Sequence, residues 1–390
     1  MKGTRVEIGK GSELMGLKMD WMPLSHNRSH GIFALRRCVL MFCVSLTATA
    51  VIAQNKPAQA PSLCANVPHG DHPKHLLSNG KLDVLVFLPD AKNGYYRSSR
   101  FDWSGVVGCA SLNGHQFFGE WFADYDPLKN DAITGPVEEF RIDGGPMGRI
   151  GPRNLMAVPA GAIGYADAKP GDLFLKPGVG VLRKVDDKPY QFGFLYPIVD
   201  TGKWTTKIKS HSILFRQVLR GPQGYAYIYE KELILDKNDS VMTLEHRLRN
   251  TGQKTIDTNV YDHDFFMLDG KPVGPGMAVH FAFEPKAVDP LGAAAKIEGK
   301  DLIFVDSLEP RRGVSGYLTG YSDKASDYDF TVEDTNTKVA VQQTSDSPLA
   351  RLYFWSTRTA ICPEGYIHLN IPPGKTGKWK IRYRFIAPTR

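Results

Sequence analysis

The chain has 390 residues, 38 of them glycine and 26 proline, with 23% charged residues and a formal net charge of +7. A chain of this length buries a sizeable core without disulfide bonds, which excludes a mini-protein. Its balanced composition excludes a coiled coil, collagen and wholesale disorder. The composition is that of a turn-rich globular protein.

The first 53 residues have the order of a signal peptide with an over-long N-terminal extension. Arg36 and Arg37 precede an apolar run that ends at Ala53, a small residue suited to cleavage. The run is about 16 residues long, whereas a membrane-spanning helix needs roughly 20; a retained anchor is the alternative. We therefore predict cleavage after Ala53, a periplasmic or secreted mature protein and no stable membrane insertion.

Most of the net charge lies in that N-terminal segment. Residues 1–53 carry seven basic and three acidic side chains, which leaves a net charge of +3 on residues 54–390. A strongly basic domain is the usual sign of a nucleic-acid-binding protein, and this remainder is not strongly basic. We therefore expect no nucleic-acid partner. The sequence is silent on the oligomeric state.

Residues 54–80 are polar and contain proline, and we predict a flexible segment there. His69, His72 and His75 recur at every third residue, but Pro73 argues against the helix that would align them as metal ligands. We therefore predict no metal site.

Three cysteines remain after the signal peptide is removed, namely Cys64, Cys109 and Cys362. In an oxidising compartment two of them can pair, and we predict a bond between Cys64 and Cys109. Buried free thiols are the alternative.

From Leu82 onward, apolar and polar residues alternate with the period of a half-buried strand. The pattern predicts strands over residues 84–88, 213–219, 225–235, 241–248, 255–266, 278–283, 302–306, 328–332, 338–343, 351–356, 366–371 and 379–385. No segment has a convincing helical period, and residues 135–205 are rich in glycine and proline, which predicts long loops on one face. Residues 81–390 are therefore predicted to form a single all-β domain, one large antiparallel β-sandwich.

Two segments in the last third of the chain carry its most informative motifs. Residues 248–266 form a predicted strand, an Asn-Thr-Gly turn and a second strand that ends at His263, between two aspartates and before two phenylalanines. Residues 360–385 contain Glu364, a Pro-Pro-Gly turn and a closing strand. In order and spacing these motifs resemble the galactose mutarotase-like (aldose 1-epimerase) superfamily, over about 140 residues.

The resemblance implies the large β-sandwich of that superfamily and acid–base chemistry on a mono- or oligosaccharide. Interconversion of sugar anomers removes a proton from the C1 hydroxyl and donates one to the ring oxygen, so an acid and a base must flank the sugar. By motif, Glu364 takes the position of the general base and His263 that of the general acid, and no cofactor is required. We expect Asp262 and Asp264 to bias His263 towards its protonated form.

Four further residues are candidates for substrate binding. By rough position, Arg100 and His115 correspond to the arginine and second histidine with which the superfamily holds its substrate. Trp103 belongs to an aromatic group that offers a stacking surface for a sugar, although core packing is the alternative. Asp262 stands where the superfamily commonly has asparagine, so it either tunes His263 or recruits a cation.

The sequence thus predicts an exported carbohydrate-active protein, an aldose 1-epimerase-like isomerase. One alternative is a carbohydrate-binding protein without catalysis, which requires the carboxyl of Glu364 and the imidazole of His263 to lie apart. Another is a polysaccharide lyase or glycosidase, because a lyase needs an arginine or a cation to neutralise a uronate carboxylate. Arg97 and Arg100, or the pair Asp262 and Asp264, would serve that purpose.

Overall fold

The structure is a computed structural model that describes residues 62–143, 160–310 and 312–389. The predicted signal peptide, residues 1–53, lies outside the described residues. No helix within the described ranges is long and apolar enough to cross a membrane.

The described residues form 24 β-strands and four 3-10 helices of three residues each. The first twelve strands are β1 (Lys74–Ser78), β2 (Leu82–Phe87), β3 (Val106–Leu112), β4 (His115–Gln116), β5 (Val137–Asp143), β6 (Ala160–Gly161), β7 (Leu173–Lys176), β8 (Gly180–Arg183), β9 (Ile198–Asp200), β10 (Lys203–Ile208), β11 (Ser212–Arg220) and β12 (Ala226–Leu235). The other twelve are β13 (Val241–Asn250), β14 (Ile256–His263), β15 (Met277–Phe281), β16 (Lys286–Ala287), β17 (Ala295–Glu298), β18 (Asp301–Phe304), β19 (Val314–Thr319), β20 (Asp329–Asp334), β21 (Val339–Ser345), β22 (Arg351–Ser356), β23 (Ile361–Ile371) and β24 (Thr376–Ile386). The 3-10 helices are Leu63–Ala65, Pro222–Gly224, Leu268–Gly270 and Ala325–Asp327.

Two large antiparallel sheets face each other across the core. One has ten strands in the order β10-β11-β12-β13-β24-β21-β20-β15-β18-β17, and the other has seven in the order β16-β19-β22-β23-β14-β5-β6. Two smaller sheets, β1-β2-β3-β4 and β7-β8-β9, complete the described part of the chain. The predicted all-β fold, a large antiparallel β-sandwich, is confirmed.

The alternation of apolar and polar residues in the sequence matches the alternation of buried and exposed side chains in the sheets. Along β12 every second side chain is buried, and β24 buries Trp379, Ile381, Tyr383 and Phe385 on one face as predicted. Successive side chains of a strand point to opposite faces, so the apolar set packs between the sheets while the polar set meets solvent.

Two predictions about loops are wrong. Residues 74–78, within the segment expected to be flexible, form β1 and pair with β2. The disulfide bond predicted between Cys64 and Cys109 is confirmed, and it also holds the start of that segment. Residues 135–205, expected to be loops, contain all or part of β5 to β10. The prediction missed β5 because Glu138 and Glu139 are charged yet fully buried, so the strand has no apolar alternation.

Candidate functional site

A pocket of about 330 Å³ lies on the seven-stranded sheet, on the face that points away from the ten-stranded sheet. The strands contribute charged, aromatic and hydroxyl side chains, namely Arg141, Tyr261, His263, Ser315, Tyr317, Tyr353, Trp355, Glu364 and Tyr366. The remaining wall comes from segments outside these strands, through Arg100, Trp121, Asp131, Phe192 and Phe265. The pocket therefore combines aromatic walls with a few charged groups, as small-molecule sites commonly do.

The pocket brings His263 and Glu364 together. They lie on the neighbouring strands β14 and β23, and the Nε2 atom of His263 is 3.4 Å from the Oε1 atom of Glu364. The hydroxyl of Tyr366 donates a hydrogen bond of 3.3 Å to Oε2 of the same carboxyl group. Both residues are buried, with 3% and 4% of their surface exposed. The spatial convergence expected from the two sequence motifs is thus present.

Cys362 and Phe265, which follows β14, hold the imidazole ring of His263 in place. The Nδ1 atom of His263 lies 3.0 Å from Sγ of Cys362, and the backbone N–H of Phe265 donates to the same sulfur at 2.9 Å. Phe265 has a φ of 49°, in the left-handed region that ordinary residues avoid, and its ring stacks on His263 at 3.8 Å. The chain turn after β14 therefore supports the imidazole and leaves Nε2 directed at Glu364.

Burial sets the protonation of this pair. Burial raises the pKa of Glu364 to about 8, although Arg100 and Arg141 act to lower it. Burial also lowers the pKa of His263 well below its ordinary value, and Arg100 adds to that effect. Desolvation disfavours the charged form of either group, so at neutral pH the carboxyl group holds a proton and the imidazole is neutral. The pair is therefore a proton donor next to a proton acceptor.

The expectation that Asp262 and Asp264 bias His263 towards its protonated form is wrong, because the pKa of His263 is lowered. Both carboxyl groups lie on the opposite face of the chain from the imidazole, within hydrogen-bond distance of the hydroxyl of Tyr383, at 2.5 and 2.8 Å. Burial raises the pKa of Asp262 to about 8. Asp262, predicted to bind substrate or a cation, thus lies between the two sheets and outside the pocket, because consecutive residues of a strand alternate in direction.

Arg100 lies on the pocket wall as predicted. Its Nε donates to Oε2 of Glu139 at 3.0 Å, its Nη1 pairs with Asp131, and its Nη2 donates to the hydroxyl of Tyr261 at 3.4 Å. Lys176 donates to the other oxygen of Glu139 at 2.8 Å. Burial raises the pKa of Glu139, but Lys176 and Arg100 outweigh it and keep that pKa well below its ordinary value. The ionised carboxylate thus anchors the guanidinium.

His115 and Trp103 are not part of the pocket wall. His115, on β4, has its Nδ1 atom 2.8 Å from a carboxyl oxygen of Asp269. The indole N–H of Trp103 donates to the carbonyl of Ser98 at 2.8 Å, and the ring is buried in the core. His115 was predicted from its approximate position and Trp103 from its place in an aromatic group, and both have structural partners instead.

Sequence reasoning missed most of the aromatic wall. Tyr353 and Trp355 lie on the pocket face of β22, which had been predicted as a strand. Two large aromatics at alternate positions of one strand were the available signal. Trp121 also lines the pocket, and its ring stacks on that of Phe265 with a centroid distance of 4.9 Å.

No protein-family model matches the chain, and no curated protein matches it in sequence. Its fold is similar to that of several solved structures. A putative aldose 1-epimerase from Escherichia coli K12 has 12% identity and a TM-score of 0.48, covering 81% of this chain and 99% of its own. A galactose mutarotase related enzyme from Lactobacillus acidophilus has 11% identity and a TM-score of 0.45, covering 81% and 98%.

A GalM/aldose epimerase homologue from C. elegans has 10% identity and a TM-score of 0.43, covering 80% of this chain and 99% of its own. These similar structures are proteins of the kind that the motifs in the sequence indicated. The arrangement of the pocket residues described above is a property of this chain and does not depend on them.

Proposed function

We propose that the pocket binds a sugar and interconverts its anomers. The observation that carries the proposal is the distance of 3.4 Å between Nε2 of His263 and Oε1 of Glu364, on the wall of a pocket of about 330 Å³. The apolar C–H face of a sugar packs on aromatic rings such as Trp121 and Trp355, while its hydroxyls hydrogen-bond to charged groups such as Arg100.

In the proposed reaction, Nε2 of neutral His263 accepts the proton of the C1 hydroxyl while Glu364 donates its proton to the ring oxygen. The bond between C1 and the ring oxygen breaks and an open-chain aldehyde forms. After rotation about the bond between C1 and C2, the ring oxygen attacks the other face of C1. As it attacks, the ring oxygen gives its proton back to the carboxylate of Glu364, and the imidazolium of His263 donates its proton to the C1 oxygen. Both groups thereby regain their starting state.

This assignment exchanges the two roles expected from sequence. The motif gave Glu364 the position of the base and His263 that of the acid, but the burial of the pair favours the reverse at neutral pH. The chemistry of ring opening is unchanged, because it requires one donor and one acceptor whichever residue holds the proton first.

Anomer exchange of free sugars, followed by NMR, tests the proposal. We expect the protein to accelerate exchange of at least one aldose above the uncatalysed rate. The rate at saturating sugar should be steady between about pH 6 and 7 and fall roughly tenfold per pH unit above pH 8, as Glu364 loses the proton it must donate. The uncatalysed rate is subtracted at each pH. No acceleration for any aldose would refute the isomerase, and a rate that rises through pH 8 would assign the base role to Glu364.

We also propose that the protein is exported. The disulfide bond between Cys64 and Cys109 supports this, because such bonds persist in oxidising compartments and are rare in the cytosol. N-terminal sequencing of protein from the extracytoplasmic fraction should begin at Gln54. A cytoplasmic protein that starts at Met1 would contradict export and leave the pocket proposal intact.

A further inference from the structure

The outer surface of the ten-stranded sheet has a strongly basic half. On strands β10, β11, β12, β13 and β24, the cross-strand register puts ten lysines and arginines on the face that points away from the core, against three glutamates. We call this surface the basic face. Its most central members are Arg216, Arg247, Arg249, Lys378, Arg382 and Arg384. Ten cations against three glutamates leave a net charge of +7 on this face, which is more than the +3 carried by residues 54–390 as a whole. The chain therefore concentrates its positive charge here.

The glutamates neutralise only part of that charge. Glu230 lies between Arg216 and Arg247, at 3.3 and 4.0 Å, and Glu245 pairs with Lys380 at 2.6 Å. Within the described part of the chain, no salt bridge joins Arg249, Lys378, Arg382 or Arg384 to a carboxylate, and all four are exposed.

A groove marks the middle of the basic face. It has a volume of about 240 Å³ and is lined by Arg216, Ile228, Glu230, Arg247, Arg249 and Thr376. The register aligns Arg247 with Lys378 and Arg249 with Thr376 on the neighbouring strand. Residues on the same face of a strand are about 7 Å apart, so the four outward cations of β24 form a row with that spacing. β13 adds Arg247 and Arg249 beside this row, whereas β12 has glutamates and no cation on this face.

We propose that the basic face binds an acidic polysaccharide, a polymer that carries a carboxylate on many of its sugar units. The row of cations along β24, with the arginines of β13 beside it, complements a chain with regularly repeated anions, and guanidinium groups pair with carboxylates through two parallel hydrogen bonds. The outward positions of β10–β13 and β24 contain no aromatic residue, whereas proteins that bind single-stranded nucleic acid use aromatic stacking. The disulfide bond further favours a polymer met outside the cytosol.

The surface is separate from the pocket. The pocket opens on the outer face of the seven-stranded sheet, and the basic face lies on the other sheet, with the core between them. Binding of the polymer therefore does not require the proposed isomerase activity.

Binding of polygalacturonate, measured by calorimetry in 50 mM salt, tests the proposal. We expect the wild type to bind and the affinity to fall steeply with added salt, because each contact displaces a counterion. A variant with Arg247→Gln, Arg249→Gln and Lys378→Gln should bind roughly tenfold more weakly or worse. A matched control with Lys92→Gln, Lys169→Gln and Lys324→Gln removes the same charge from exposed positions off this face and should bind within about twofold of the wild type.

Three outcomes would overturn the proposal. They are no binding of polygalacturonate by the wild type, equal losses in the two triple variants, or binding of a DNA duplex or of anionic vesicles as tight as that of the polyuronate at equal charge concentration. Thermal unfolding of each variant checks that it is folded. The Glu364→Gln variant should bind the polymer as the wild type does, so failure of the isomerase proposal is distinguishable from failure of this one.

Discussion

Replacing Glu364 by glutamine should lower the rate of anomer exchange at saturating sugar by a factor of about 10²–10⁴, the range typical of a lost acid–base group. Glutamine keeps the shape of the protonated carboxyl group and can still accept the hydrogen bond from Tyr366, but it cannot transfer a proton to the ring oxygen. Because burial already keeps Glu364 neutral near pH 7, the substitution should change the free energy of unfolding little. Saturation-transfer NMR measures the exchange.

The control for this variant is Glu284→Gln, which removes an exposed carboxylate outside the pocket and should exchange sugars at the wild-type rate. Sugar affinity of the Glu364→Gln variant, measured by calorimetry, should stay within a few fold of the wild type. An unchanged exchange rate would remove Glu364 from the mechanism. A wild type that binds sugar without accelerating exchange would instead establish a carbohydrate-binding protein.

The predictable part of the fold is the part in which burial follows hydrophobicity. Strands such as β12, β13 and β24 alternate apolar and polar residues, and their predicted ranges lie within or close to the observed ones. β5 escaped prediction because its buried side chains include two glutamates, whose partners Lys231 and Lys176 come from distant strands. Sequence alternation cannot identify a buried charge before its counter-charge is known.

In the site, too, the sequence predicted local features but not those that depend on distant segments of the chain. His263 and Glu364 were predicted from local motifs, and the structure brings them together. The direction of Asp262 follows from the period of the strand alone, so its place outside the pocket was open to prediction. The pKa values of Glu364 and His263 could not be predicted from the sequence, because they depend on how completely segments far away in the chain bury the two residues.

Removing the carboxylate of Glu138 should destabilise the protein by about 3–5 kcal/mol, because it leaves a buried cation without its partner. Glu138 is completely buried between the sheets, where one oxygen pairs with Lys231 and the other is 2.7 Å from Nε2 of His246. Lys231 also donates to the carbonyl of Ser104 at 2.9 Å, which cannot neutralise it. Urea unfolding of Glu138→Ala, followed by tryptophan fluorescence, measures the loss.

The matched control is Glu245→Ala, which also breaks a pair between a glutamate and a lysine, but an exposed one. Glu245 lies 2.6 Å from Lys380, and about 45% of each side chain is exposed. Its loss should cost about 0–1 kcal/mol. The double variant Glu138→Leu with Lys231→Met should recover much of the stability, since it removes both charges together. Equal losses in Glu138→Ala and Glu245→Ala would contradict the argument from burial.

The pH dependence of that stability difference separates the charge of Glu138 from its volume. Burial raises the pKa of Glu138, but Lys231 and His246 outweigh burial and hold it at about 2, below the ordinary 4.5. A carboxyl group with a lowered pKa contributes its full stability above the unfolded pKa and loses it as the pH falls through the folded value. The gap in unfolding free energy between wild type and Glu138→Ala should therefore shrink between about pH 5 and 2. A gap that stays constant would attribute the loss to the cavity left by the side chain, because packing does not titrate.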